Sequence, residues 1–310
     1  MAVNMKGKDL ISIHDLSREE LEQILETSQI LKMKQKLGEI YHPLKGKTLG
    51  MIFQKSSTRT RVSFEVGMWQ LGGYALFLSA NDLQLNRGET IADTARNLSR
   101  YLDGIMIRTF SHQDVVDLAE YSSVPVINGL TDLLHPCQVL ADLFTIKEKK
   151  QKLEGLKLVY IGDGNNMAHS LMFGGAKMGM HVVICSPSGF EPDPEITRLS
   201  RVDASKSGAT INIEDDPVEA VKTADIIYTD VWASMGMEEE HEERLKSFAN
   251  YQLNSDLLEK GKEDVIVMHC LPAHRGEEIT DEVVDGPHSI VFDQAENRLH
   301  VQKAIMALTM

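Results

Sequence analysis

The chain has 310 residues, and at about 100 to 200 residues per domain this length predicts two globular domains. Hydrophobic residues make up 42% of it and charged residues 25%, which argues against disordered, collagen-like and disulfide-scaffold proteins. The formal net charge of -14 argues against a nucleic-acid partner, because contact with a phosphate backbone needs a basic surface.

Short runs rich in Val and Ile alternate with segments of helical period, which is typical of parallel strands joined by crossover helices. In chain order, these runs predict strands at residues 48–53, 104–108, 125–128, 157–161, 181–185, 225–229 and 264–269. The predicted fold class is α/β, with two domains that each hold a parallel sheet flanked by helices and with the active site in the cleft between them.

Two segments show a clear helical pattern. Residues 17–31 begin with the Ser-x-x-Glu pattern of a capping box, formed by Ser17 and Glu20, and continue with an apolar face. Residues 90–102 repeat apolar side chains at spacings of four, three and four, which places them on one face of a helix.

A charged stretch at residues 147–154 precedes a new strand, so we place the domain boundary near it. The same charges would equally suit the solvated face of an ordinary helix. The expected domains are residues 1–148 and 149–296, with a C-terminal helix at about 297–310 that packs back on the first domain.

The three cysteines, Cys137, Cys185 and Cys270, are too scattered for a disulfide framework, which favours a reducing compartment. The first ten residues lack the apolar core of a signal peptide, and no apolar run approaches the roughly 20 residues that span a bilayer. These patterns predict a cytoplasmic protein with no membrane partner.

Polar residues follow the predicted strands, and ligands of open α/β sheets bind beyond the carboxyl ends of strands. Residues 57–61 read Ser-Thr-Arg-Thr-Arg and open a predicted helix, whose free N–H groups and two guanidinium groups suit a phosphate. A Ser/Thr-capped helix with solvated arginines is the structural alternative. Arg108, at the end of an apolar strand, adds a third cation and favours the anion site.

His135 and Gln138 are three residues apart and could donate hydrogen bonds to a polarised carbonyl, although a lone His is more often structural. The pair-and-pair spacing of a zinc site is absent, so no metal is expected. Residues 162–167 begin like a dinucleotide fingerprint but carry Met167 in place of its third glycine, which argues against a nicotinamide oxidoreductase.

Four motifs together resemble the aspartate/ornithine carbamoyltransferases, in the same order and over nearly the whole chain. They are Ser-Thr-Arg-Thr-Arg at 57–61, His-Pro-Cys-Gln at 135–138, Asp-Val-Trp-Ala-Ser-Met-Gly at 230–236 and His-Cys-Leu-Pro at 269–272. Within the family, the resemblance is to the members that use ornithine. It implies transfer of the carbamoyl group of carbamoyl phosphate to the δ-amine of L-ornithine through a tetrahedral intermediate, giving L-citrulline and phosphate without a cofactor.

The resemblance also implies the site residues. Those expected to bind carbamoyl phosphate are Ser57, Thr58, Arg59, Thr60, Gln84, Arg108, His135, Gln138, Cys270, Leu271 and Arg298, with Gln84 supplied by a neighbouring subunit. Those expected to bind ornithine, in the domain at 149–296, are Asn166, Asp230, Ser234 and Met235. The catalytic groups would be Arg108, His135, Cys270 and Thr60. Sharing of Gln84 implies a homo-oligomer, a trimer or a multiple of trimers.

A nicotinamide oxidoreductase stays a rival that absent nicotinamide binding would dismiss, and three further alternatives stay open at this point. The first is the putrescine-using branch of the family, in which the Asn pair and the Ser-Met-Gly loop are typically replaced, whereas both are present here. The second is a non-catalytic anion-binding relative. The third concerns Cys270, which could orient the δ-amine or act only as a small apolar residue.

Residues 234–236, followed by an acidic run, predict a mobile loop that closes over ornithine.

Overall fold

The computed structural model describes residues 3–84, 88–233 and 241–310. The chain forms two compact units, one made of Met1–Phe144 with Glu296–Met310 and the other of Thr145–Ala295. Each unit contains its own parallel sheet flanked by helices, which confirms the predicted α/β class. No helix within the described ranges combines the length and the apolar character needed to cross a membrane.

The first unit is built on parallel strands: β1 (Thr48–Phe53), β2 (Tyr74–Ser79), β3 (Gly104–Arg108) and β4 (Val126–Leu130). The described strands pair in the order β2-β1-β3-β4. The helices that begin in this unit are α1 (Arg18–Lys36), α2 (Thr58–Gln70), α3 (Ile91–Leu98), α4 (His112–Tyr121) and α5 (Pro136–Lys150). A 3-10 turn at Ile13–Asp15 precedes α1.

The register of β1 and β3 positions the polar residues that follow them. Phe53, the last residue of β1, is opposite Arg108, the last residue of β3. Because the two strands are parallel and end together, Arg108 and the segment that follows β1 emerge at the same edge of the sheet.

Helix α1 begins as the sequence predicts. Ser17 accepts a hydrogen bond from the Glu20 backbone N–H at 3.2 Å, and the Glu20 carboxylate accepts one from the Ser17 N–H at 2.8 Å. The capping box is thus confirmed, although the helix continues past residue 31. Helix α3 is shorter than predicted and ends at Leu98, where the Ser99 hydroxyl donates to the Ala95 carbonyl at 2.7 Å and competes with the backbone.

A buried apolar cluster joins this sheet to α3 and α4. Its members are Ile52, Ala95, Leu102, Ile105, Ile107, Val115, Leu118 and Val126. Burying a large apolar side chain contributes about 1.5–3 kcal/mol, so this cluster fixes the strand ends that carry the polar residues.

The second unit contains parallel strands β5 (Lys157–Ile161), β6 (His181–Cys185), β7 (Ile211–Glu214), β8 (Ile226–Thr229) and β9 (Ile266–His269). Over the described residues their order is β7-β6-β5-β8-β9. The remaining helices are α6 (Asn166–Lys177), α7 (Pro194–Ser207), α8 (Pro217–Val221), α9 (His241–Ser247), α10 (Ser255–Leu258), α11 (Asp281–Val284) and α12 (Val291–Thr309). Helix α12 begins in the second unit, and its residues from Glu296 belong to the first.

The strand order of the second unit also has a functional consequence. Strands β5, β8 and β9 are neighbours, so the polar residues that follow them meet at one edge of the sheet. The core beneath them includes Val159, Ile161, Ile227, Trp232 and Val267.

Candidate active site

Residues 57–61 form the N-terminus of helix α2. Ser57 is the N-cap, and its side chain accepts a hydrogen bond from the Thr60 N–H at 3.2 Å. No acidic side chain lies in the first turn, so the positive end of the helix dipole is not neutralised locally. Thr60 is buried, Ser57 and Arg59 are half-buried, and Thr58 is exposed. This terminus can therefore receive an anion.

Arg61 departs from the prediction that two guanidinium groups of this segment serve the anion. Its Nε donates to Glu65 Oε1 at 3.0 Å, one turn along the helix. Its guanidinium carbon lies 3.8 Å from the centroid of the Phe77 ring. The Arg61 side chain is 47% exposed. We therefore remove Arg61 from the predicted anion-binding group and retain Arg59.

Arg298 of α12 connects two of the other predicted residues. Its Nη1 donates to Gln138 Oε1 at 2.6 Å, and its Nη2 donates to Thr60 Oγ1 at 3.3 Å. Gln138 in turn donates from Nε2 to Asp142 Oδ1 at 2.9 Å, which leaves its carbonyl oxygen directed at the guanidinium. Thr60, Gln138 and Arg298, from three helices, are thus held together, and each is at most 2% exposed.

His135 lies among the guanidinium groups of this unit. Its burial lowers its pKa well below the usual value, and the charges of Arg298, Arg108 and Arg59 lower it further. Coulombic effects of this kind require the cations to be near the ring. His135 is therefore neutral at pH 7, and a neutral imidazole still offers one N–H donor.

This depressed pKa makes a prediction for stability. The unfolded chain protonates His135 near pH 6.5, whereas the folded chain keeps it neutral to lower pH. Between the two pKa values the unfolded state binds more protons, so the free energy of unfolding decreases as the pH falls. We expect the free energy of unfolding of His135→Gln to decrease less steeply than that of the wild type, by up to about 1.4 kcal/mol per pH unit. Denaturant unfolding at several pH values from about pH 7 to about pH 5 measures this difference.

His42→Gln, at an exposed histidine of the same unit, is the matched control for the loss of one imidazole. Identical slopes for wild type and His135→Gln would contradict the neutral His135.

Cys137 and Cys185 are buried, and burial raises the pKa of each thiol to about 12. The Cys137 Sγ donates to the Asn128 carbonyl at 3.3 Å. Metal ligation and nucleophilic attack both need a thiolate, so these two cysteines act as packing residues.

In the second unit, Asp230 follows β8 and is 6% exposed. Its Oδ1 accepts hydrogen bonds from Cys270 Sγ at 2.9 Å and from the Val231 N–H at 2.8 Å. Its Oδ2 accepts one from Asn165 Nδ2 at 3.4 Å. Both oxygens of the carboxylate are thus oriented by donors, which suits recognition of a substrate amine.

The two asparagines after β5 have different positions. Asn166 is the first residue of α6, whereas Asn165 is its N-cap and accepts from the Met167 N–H at 2.9 Å. Since Asn165 also donates to Asp230, it orients the carboxylate as well as capping the helix. The sequence motif indicates only Asn166, whereas the role of Asn165 depends on a contact between distant parts of the chain.

Cys270 and Leu271 follow β9 and come directly after His269, whose hydrogen bonds determine its tautomer. His269 Nδ1 accepts from the Leu271 N–H at 2.8 Å, so the proton lies on Nε2, which is 3.0 Å from Glu278 Oε1. Leu271 has a left-handed backbone with φ 59°, a conformation that costs a non-glycine residue about 1–3 kcal/mol. The contact to His269 helps to hold it there.

Three predicted residues remain. Ser234 and Met235, with the loop predicted at 234–236, lie outside the described residues. Gln84 is exposed on the first unit, and its carbonyl accepts from the Glu89 N–H at 3.2 Å.

Among the residues that the structure describes, two groups of side chains bring possible metal ligands within 4.8 Å of one another. The first is Asp230, His269 and Cys270, and the second is His274, Glu277 and Glu278. In the first group the Cys270 thiol and the His269 ring already donate hydrogen bonds to protein acceptors. These hydrogen bonds suit a site that binds an amine at least as well as a site that binds a metal cation.

The two units therefore offer complementary chemistry. The first presents guanidinium groups, a helix N-terminus and neutral donors, which suit a dianion that carries a carbonyl. The second presents an oriented carboxylate and amides, which suit an amino acid with an additional amine.

Comparisons with known proteins bear on both units. A family model described as aspartate/ornithine carbamoyltransferase, carbamoyl-P binding domain, matches residues 8–148, and one described as the Asp/Orn binding domain matches residues 154–309. The ornithine carbamoyltransferase of Thermococcus kodakarensis is 61% identical over 310 residues, which cover 100% of this chain and 98% of that protein. The anabolic ornithine carbamoyltransferase of Pyrococcus furiosus is 59% identical, with the same two coverages. A solved structure of the Pyrococcus furiosus ornithine carbamoyltransferase matches with a TM-score of 0.97 and 59% identity, covering 100% of this chain and 99% of that chain.

Proposed function

Because this chain belongs to the aspartate/ornithine carbamoyltransferase family, we propose that it transfers the carbamoyl group of carbamoyl phosphate to the δ-amine of L-ornithine, giving L-citrulline and phosphate. The observation that carries this proposal is the buried cluster in which the Arg298 guanidinium donates to Gln138 and Thr60. The pKa of His135, lowered by burial and by the charges of Arg298, Arg108 and Arg59, supports it. The names and full-length similarity of the relatives support ornithine as the acceptor.

The first unit binds and activates the donor. Arg59, Arg108 and Arg298, with the N-terminus of α2, balance the charge of the phosphate. Thr60, Arg108 and His135 donate to the carbamoyl oxygen, which gains negative charge as the amine attacks. A neutral His135 is suited to this task because it donates a hydrogen bond without adding a fourth full charge to the cluster.

The second unit binds the acceptor. Asp230 pairs with the α-ammonium group of ornithine, and the Asn166 amide donates to its α-carboxylate. Cys270 orients Asp230 through its thiol. Ser234 and Met235 complete the ornithine-binding set. The donor-binding set is completed by Ser57, Thr58, Gln84, Gln138, Cys270 and Leu271.

The reaction is an acyl transfer. The lone pair of the neutral δ-amine forms the new N–C bond, the carbonyl becomes a tetrahedral oxyanion, and the C–O bond to phosphate then breaks. The amine loses one proton, which the departing phosphate or water accepts. No oxidation state changes, and the rate comes from positioning and from stabilisation of the oxyanion.

The direct test is an assay of ureido product from carbamoyl phosphate with ornithine, putrescine or aspartate as acceptor. We expect citrulline from ornithine and little product from the other two. Preferred use of putrescine would overturn the acceptor assignment, and no product with any amine would overturn the activity.

We further propose a homo-oligomer, either a trimer or a multiple of trimers. Apolar side chains are exposed along α2 and the neighbouring edge strand β2, including Val62 at 50%, Tyr74 at 63% and Phe77 at 38%. Such a patch on one side of a unit is typical of a subunit interface. Exposed Gln84 lies beyond the same strand, which supports its proposed role in the site of a neighbouring subunit.

Subunit hybrids test the sharing of Gln84. Gln84→Ala and Arg108→Ala should each be nearly inactive alone. In a cyclic trimer that takes Arg108 from one subunit and Gln84 from the next, every mixed trimer has one intact site, so random reassembly of equal amounts should restore about one quarter of wild-type activity.

The matched control mixes Arg108→Ala with His135→Ala, two changes that fall within the same subunit's half of the site, and should restore nothing. Equal activity of both mixtures would contradict the sharing of Gln84.

We also propose a cytoplasmic enzyme of arginine biosynthesis. The absence of disulfides among its three cysteines supports a reducing compartment. The word anabolic in the name of one relative supports synthesis of citrulline as the direction.

A further inference from the structure

Arg244 of helix α9 is a buried cation that no motif of the sequence singles out. It is 8% exposed, and its Nη1 donates both to Asp163 Oδ2 at 2.7 Å and to the Trp232 carbonyl at 2.8 Å. Its guanidinium carbon lies 5.1 Å from the centroid of the Phe190 ring. One side chain thus connects the turn after β5 with the segment after β8.

Asp163 connects Arg244 to the asparagine pair. The Asp163 carbonyl accepts from the Asn165 N–H at 2.7 Å, and Asn165 caps the helix that begins with Asn166. The same turn is closely packed on its other side, because a Cβ at Gly164 would lie 2.2 Å from the Pro192 nitrogen. A change in the position of Asp163 therefore moves the asparagine pair.

Trp232 connects Arg244 to Asp230. It follows Asp230 by two residues, and its ring stacks on Phe248 at a centroid distance of 5.6 Å. With the ring buried and the carbonyl bonded to Arg244, the backbone that leaves β8 has a fixed direction. That direction sets where the Asp230 carboxylate points.

Charge gives a second reason for the arrangement. Burial raises the pKa of Tyr160, and the carboxylates of Asp230 and Asp163 raise it further, so both lie near its ring. Arg244 pairs with Asp163 and compensates one of these two charges. A substrate ammonium group then meets Asp230 without a competing carboxylate beside it.

We propose that Arg244 is a positioning residue for the amino-acid substrate, acting through Asp163 and the Trp232 carbonyl to place the asparagine pair and Asp230. This inference rests on the proposed function and deepens it. It differs from a purely stabilising ion pair, which would leave substrate recognition unchanged in any variant that folds.

The test separates the two substrates. We expect Arg244→Met to raise the KM for ornithine by about tenfold or more, since a misplacement of binding groups by about 1 Å can cost as much as about a hundredfold. The KM for carbamoyl phosphate should stay within about twofold of wild type, because its proposed ligands lie mainly in the first unit. Arg244→Lys should recover part of the ornithine affinity, because an ammonium group keeps the charge without the planar fork.

Asp163→Asn tests the route and serves if Arg244→Met fails to fold. It should raise the ornithine KM as well, and the double variant should be less impaired than the product of the two single effects. The matched control is Arg198→Met, which removes an exposed i,i+3 ion pair with Glu195 from the same unit and should change neither KM.

An unchanged ornithine KM in folded Arg244→Met and Asp163→Asn, or equal increases in both KM values, would overturn the inference while leaving the proposed function intact. Absence of citrulline formation by the wild-type enzyme would instead overturn the proposed function, and the inference with it.

Discussion

Replacing Arg108 with alanine is expected to lower turnover by about two to three orders of magnitude, the effect of removing one donor from an oxyanion site. Arg108 ends a central strand, is 9% exposed, and contributes to the electrostatic environment of His135. In the proposed site, its loss removes a charge that would act on both the phosphate and the carbamoyl oxygen. Steady-state assays with ornithine at saturation measure the effect, and Arg108→Lys should be intermediate because Lys offers a point charge instead of a fork.

A binding measurement separates loss of function from loss of fold. Inorganic phosphate should raise the unfolding temperature of the wild-type protein, because it binds only the folded state, and should raise that of Arg108→Ala much less. Arg18→Ala, which removes an exposed i,i+4 ion pair with Glu22, should behave as wild type in both measurements. A folded Arg108→Ala enzyme with near-normal turnover would place Arg108 outside the site.

The second large effect is expected for Asp230→Asn, with a decrease of about two to three orders of magnitude in kcat/KM for ornithine, as for removal of one member of a buried charge pair. Asp230 accepts hydrogen bonds at both oxygens, whereas an asparagine has one acceptor oxygen and an NH2 group. The amide would therefore direct donors at either Cys270 and Val231 or at Asn165. If Asp230 binds the substrate as proposed, the variant loses the counter-charge of the substrate amine and also the orientation of the side chain that remains.

This variant should retain the effect of phosphate on the unfolding temperature, because the proposed phosphate ligands lie in the first unit. The exposed Asp256→Asn is the control for loss of one acidic charge. A kcat/KM for ornithine within about threefold of wild type would contradict the assignment of Asp230.

The strands that the sequence predicts best are those buried on both faces. Predicted strands at 48–53, 104–108, 157–161 and 181–185 have the observed bounds, while β4, β8 and β9 differ by one or two residues. The two missed strands, β2 and β7, are edge strands. Their partly exposed sequences, Tyr-Ala-Leu-Phe-Leu-Ser and Ile-Asn-Ile-Glu, lack a continuous run of β-branched residues, so composition alone gives a weak signal there.

The candidate site also contains residues that the sequence predicts and residues that it does not. Residues such as Arg108 and Asp230 can be found from the sequence because a charged side chain ends an apolar strand or directly follows one. Arg244 and Asn165 could not be assigned their contacts in this way, since Arg244 is 81 residues from Asp163 and Asn165 is 65 residues from Asp230. Contacts at such separations depend on strand order, which local periodicity does not encode. The prediction that Arg61 serves the anion was wrong for the opposite reason, because Arg61 has a local partner, Glu65, one turn along the helix.

The position of Arg298 on α12 has a consequence for biosynthesis. Arg298 donates a hydrogen bond to Gln138, which lies 160 residues earlier in the chain. Met310 packs closely on Gly104, since a Cβ added at Gly104 would lie 3.0 Å from the Met310 sulfur. At about 5–20 residues per second, the ribosome supplies Arg298 roughly 8–32 seconds after Gln138. The first unit therefore cannot complete its fold during translation until the second unit has emerged, and a chaperone that shields nascent chains would find its exposed α12-binding face throughout that interval.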